Sequence, residues 1–138
     1  MNRNEFEALR DLPGKVIRGD IKFSRKQALA PLLVAEDLVI DNSTGLELRM
    51  SVHANPGTGA KTVNVHVPGV GPICRLDVDS TVHGTAGRNH KHSLQTPRCP
   101  DRNLPDGVVT RPDLAGQSPR EVFDAFCAMS QITHEGVF

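Results

Sequence analysis

The chain has no tryptophan and no tyrosine, and only five phenylalanines among its 138 residues. Aromatic packing therefore falls to those five rings. The shortage counts against a surface that stacks bases on aromatic rings, as many RNA binders have. There is also no excess of either charge: 16 Lys and Arg balance 16 Asp and Glu. That argues against a strong non-specific electrostatic grip on nucleic acid, although a local basic patch of Arg88, Lys91 and Arg98 is still open. No apolar run approaches the length that spans a bilayer as a helix. The opening residues, MNRNEFEALRDL, are charged and lack the apolar core of a secretory leader. Cys74, Cys99 and Cys127 make an odd count with no paired spacing. Free thiols in a reducing cytosol are the expectation. Arg18-Gly19-Asp20 then reads as a strand interior or a chance tripeptide rather than an adhesion signal.

What is present is a run of period-two segments. At this length one domain over residues 1–138 is expected, large enough to bury a core without staples. Asn4 to Leu12 can form a short helix stopped by Pro13-Gly14. Lys15 to Ser24 reads as a strand with a bulge at Gly19. Arg25 to Leu38 is ambiguous, with a helical turn broken near Pro31 as one reading. Leu38 and Ile40 then lead into the turn formers Asn42 to Gly45. Leu46, Leu48, Met50, Val52 and Ala54 alternate with Glu47, Arg49, Ser51 and His53, a strand with one wet face. Val63, Val65 and Val67 alternate with Thr62, Asn64 and His66. Cys74, Leu76 and Val78 alternate with Arg75, Asp77 and Asp79.

Residues 81–117 are rich in Gly, Pro, Asp and Asn and read as a long loop holding one short strand, NHKHSL. The strongest helix signal follows. Ser118 is an N-cap, Pro119 suits the first helical position, and Glu121 completes a capping box. Val122, Phe123, Phe126, Cys127 and Met129 form the apolar stripe. His134 lies beyond it, in a tail expected to fray. Strands followed by a closing helix predict an α+β fold: an antiparallel sheet with one polar face, its apolar face covered by a C-terminal helix and a short N-terminal helix.

The polar face carries the candidate chemistry. Alternation puts His53, His66, Arg75 and Asp77 opposite the Val/Leu rows. His90 and His92 share a face if their segment is extended. Pairing that segment beside Cys74–Val78 would gather Arg75, Asp77, His90 and His92, with His83 carried over them by the loop. Three readings fit. His90, His92 and Asp77 could hold a divalent metal, as two imidazoles and a carboxylate do in catalytic sites. Alternatively, no cofactor is needed: one imidazole acts as general base, another as general acid, and Arg75 steadies a phosphate. In the third, the network only pins a loop to the sheet through Arg75–Asp77. A zinc clip of Cys74, His90, His92 and Cys99 is disfavoured. It lacks close cysteine pairs, and Cys74 falls on the apolar face. His53 and His66, taken singly, read as exposed strand residues, and Cys127 as a small core hydrophobe.

The order Arg75-x-Asp77, His83, His90-x-His92, then a C-terminal helix carrying Phe123-x-x-Phe126-Cys127, resembles a core seen in small bacterial families. The TumE-like proteins of toxin–antitoxin pairs are among them. The resemblance covers roughly Leu46 to Ile132, without the tyrosine common near these positions. It implies a bacterial cytosolic protein of a toxin–antitoxin or phage-conflict setting, with a cognate protein partner and no membrane association. Two functions follow as expectations. One is a toxin-like effector acting on RNA or a nucleotide phosphodiester through the His/Asp/Arg cluster. The other is a non-enzymatic interaction protein, an antitoxin, immunity protein or inhibitor of a defence complex, binding through a sheet edge or the loop Pro97 to Pro119.

Overall fold

A computed structural model describes residues 3–25, 32–79, 90–93 and 109–138, of which 90–93 and 109–110 are described by backbone course and register. Its elements, in chain order, are α1 (Arg3–Asp11), β1 (Lys15–Arg18), β2 (Ser24–Arg25), β3 (Leu33–Ile40), β4 (Leu48–Ala54), β5 (Lys61–Val67), β6 (Gly71–Val78), β7 (His90–Ser93), β8 (Val109–Thr110), α2 (Pro119–Met129) and β9 (Ile132–Glu135). Strands β2 to β8 form one seven-stranded sheet in sequence order, and β1 and β9 form a separate two-stranded sheet. Every pair in the large sheet is antiparallel, and β1–β9 is parallel. The fold is α+β, an antiparallel sheet with a short N-terminal and a C-terminal helix.

Alternation explains the layers. In β4 and β5 every second side chain is buried: Leu48, Met50 and Val52 on one strand, Val63, Val65 and Val67 on the next. Leu76 and Val78 of β6 extend the same apolar surface. Onto it pack Leu9 of α1 and Val122, Phe123 and Phe126 of α2, closing one core with Ile17 of β1 and Ile132 of β9. The Ser118 hydroxyl accepts the Glu121 N–H at 3.2 Å, so the N-cap expected from SPRE is formed. Burial pushes the Cys127 thiol up to about 12, which leaves it an inert hydrophobe.

Lys15 is a core residue that composition does not announce. It is 1% exposed, and its ammonium donates to the Leu9 and Arg10 carbonyls at 2.8 and 2.6 Å. It thereby caps the C-terminus of α1, where helix carbonyls lack partners. Desolvation is the main influence on it and pulls its pKa below the ordinary lysine value.

Four expectations are corrected. The strand from Lys15 stops at Arg18, where Gly19 takes φ 100°. Leu33 to Leu38 falls within strand β3 rather than continuing a helical turn, and the turn expected near Pro31 lies outside the described residues; Asp37, at φ 57°, makes a bulge that shifts the register between Ala35 and Leu38. Leu46 lies outside β4 and is exposed, since Asn42 ties the turn by donating to its carbonyl at 2.9 Å. His134 is not in a frayed tail. It sits in β9, its Nε2 is 2.8 Å from the Gly19 carbonyl, and its ring stands edge-on to Phe123 at 5.3 Å. Among the described residues no helix is long and apolar enough to cross a membrane.

Candidate functional site

The face of the sheet opposite the helices is built by the other half of each alternation. Register turns that half into two rows across four strands. Ser51, Asn64, Arg75 and His92 are successive partners across β4, β5, β6 and β7. His53, Thr62, Asp77 and His90 are the parallel row beside them. The second row ends at Thr110 of β8. Residues in register share one face of a pleated sheet. The backbone thus sets His90 opposite Asp77 and His92 opposite Arg75, the juxtaposition expected from the sequence.

A bulge between Val65 and His66 keeps this phase. It absorbs one residue of β6, so Ile73 and Cys74 both face the core while Arg75 and Asp77 return to the polar side. Asp77 is held firmly there. Arg75 Nε donates to its Oδ2 at 3.0 Å and the Thr62 hydroxyl donates to its Oδ1 at 2.8 Å. Asp77 is only 7% exposed, so these are charge-assisted bonds in a partly dry setting. Asp79, expected to continue the polar row, does not. It leaves the strand at φ 55°, and its carboxylate takes Lys61 Nζ at 2.9 Å and the Gly116 N–H at 3.0 Å. It ties the end of β6 to the segment that leads into α2.

A cleft of about 260 Å³ opens on this face, lined by Ser51, His53, Thr62, Asn64, Pro72 and Arg75. All of these except Pro72 bear a polar group, and among the described residues the His53 imidazole is the one aromatic ring in the lining. His53 Nε2 stands 3.6 Å from Glu36 Oε1 of β3. His53 is thus a cleft residue, whereas taken alone it reads as a solvated strand position. The signal was in the loop Asn55–Ala60, where counting outward from Ala54 opposite Lys61 pairs His53 with Thr62. His66 lies outside the cleft lining, opposite Arg49 and Pro72, and its buried Nδ1 has no hydrogen-bond partner among the described residues.

His83 and Cys99 lie outside the described residues, as do Arg88 and Arg98. Cys74 is 1% exposed in the apolar core, with its Sγ 3.8 Å from the Ser130 hydroxyl, so the disfavoured zinc clip has lost one of its four ligands to the other face. Among the described residues, no three His, Cys, Asp or Glu side chains group as metal ligands. No protein-family model, curated protein or solved structure matches the chain.

Proposed function

We propose that this protein is a small toxin-like effector that cleaves RNA phosphodiesters without a metal, using the polar face of its sheet. The observation that carries this reading is the β6–β7 register, which sets His92 opposite Arg75 and His90 opposite Asp77. In this reading Arg75 holds the phosphate and stabilises its developing charge. His90 and His92 supply acid–base chemistry from β7, with Asp77 orienting His90. His83 belongs to the same proposal through the TumE-like resemblance. A guanidinium 3.0 Å from Asp77 Oδ2 favours this over the metal reading, because it repels a divalent cation from that carboxylate.

Expression in a bacterial host tests the reading. Wild type should arrest growth, and His90→Ala or His92→Ala should relieve the arrest at equal protein level. A harmless wild type, or arrest undiminished in both variants, would overturn it and leave the non-enzymatic alternative, a partner-binding antitoxin, immunity protein or inhibitor.

A further inference from the structure

In-line displacement at phosphorus places the attacking and leaving oxygens on opposite sides of the phosphate. A base and an acid that serve them must stand on opposite sides too. His90 and His92 are two residues apart on one strand, and both lie beyond Arg75 when counted from the middle of the sheet. The cleft runs the other way, from Arg75 on β6 across Thr62 and Asn64 on β5 to Ser51 and His53 on β4. Its wall opposite Arg75 therefore carries an imidazole of its own. The backbones of β4 and β7 are three strand spacings apart, roughly 14 Å. A phosphate held between them is flanked by histidine positions on both sides.

We infer that His53, held by Glu36, is the general acid of this site, the catalytic group that protonates the leaving oxygen from the wall opposite Arg75. The inference rests on the phosphodiester-cleaving reading above. Glu36 Oε1, 3.6 Å from Nε2, is the counter-ion that pairs with the ring when it carries a proton. His53 and Glu36 are partly exposed, at 38% and 42%, so substrate can reach them. In the reaction, a β7 histidine takes the proton of the ribose 2′-hydroxyl as O2′ bonds to phosphorus. The P–O5′ bond breaks with its electron pair on O5′, and His53 gives O5′ a proton. The products are a 2′,3′-cyclic phosphate and a free 5′-hydroxyl. Water then opens the cyclic phosphate with the two imidazoles in exchanged roles, which restores both. Among the described residues, the other charged groups near His53 are Arg75 across the cleft and Asp77 beside Thr62, the register partner of His53 on β5.

Two measurements test the inference independently. Inorganic phosphate titrated into the wild-type protein should move the His53 ring resonances saturably, and Arg75→Ala should abolish the response. This needs no turnover, so it distinguishes failure of the inference from failure of the cleavage reading. Resonances that ignore phosphate overturn it. In the second, His53→Gln should lower RNA cleavage by about 10²-fold or more. The same variant should cleave a nucleoside 3′-aryl phosphodiester within a few-fold of wild type, because an aryloxide leaves without an acid. RNA cleavage within two-fold of wild type, or an equal loss on both substrates, overturns the assignment.

Discussion

Replacing Phe123 with alanine should remove about 3–5 kcal/mol of stability, a large share of what a domain of this size has. Phe123 is fully buried at the centre of the core. Its ring meets Phe138 at 5.1 Å and His134 at 5.3 Å. Those contacts join α2 to β9 and to the end of the chain, and β9 in turn pairs with β1. The cavity left by truncation cannot collapse easily, because a sheet lies on one side and a terminal segment on the other. Urea denaturation followed by circular dichroism should show a lower midpoint with an unchanged slope. The melting temperature should fall by roughly 10–15 °C. Val137→Ala is the control. That side chain is 69% exposed, and its loss should change stability by less than about 0.5 kcal/mol. A loss for Phe123→Ala no larger than the control's would mean that α2 is not docked as described.

Asp77→Ala should cost both stability and activity. Arg75 Nε and the Thr62 hydroxyl both spend a hydrogen bond on this carboxylate, and removing it strands two donors on a half-buried face. The expected loss is about 2–3 kcal/mol, below the figure for a fully buried pair because the Arg75 side chain is 27% exposed. Asp77→Asn keeps the shape and an oxygen for Thr62 but loses the charge facing Arg75. It should cost about 1 kcal/mol. The two variants separate structure from chemistry. If Asp77 orients His90, both abolish cleavage, although the asparagine variant stays folded at the assay temperature. If the network is only a strut, the asparagine variant keeps full cleavage. Thermal melts and cleavage assays on the same preparations decide between them.

The sheet was legible in the sequence because its strands obey period two and its turns carry Asn, Gly and Pro. The apolar rows at Leu48–Val52, Val63–Val67 and Cys74–Val78 could be read off directly, and with them the polar rows that hold Arg75 and Asp77. The cap of α2 was equally plain, since Ser118, Pro119 and Glu121 each have a separate reason to stand where they do. What the pattern could not show was set by distant partners. His134 is ordered by Gly19 and Phe123, more than a hundred residues and eleven residues away, and no local signal names either one. Asp37 bends β3 through a left-handed residue that propensity does not favour. Lys15 reads as a surface lysine until the end of α1 is folded against it. His53 was visible as a residue but not as a member of the cleft, because a histidine on one strand gains its meaning from the register of the next. For the same reason the pairing of His90 with Asp77 could be proposed from alternation but needed the β6–β7 register to fix which residue faces which.

The most direct test is incubation of the purified protein with a 5′-labelled RNA in excess chelator, with products resolved by mass. Wild type should give fragments ending in a 2′,3′-cyclic phosphate or in the 3′-phosphate formed when water opens it, and His90→Ala should give neither. RNA left intact by well-folded wild type, or cleavage that appears only when a divalent metal is restored, would contradict it.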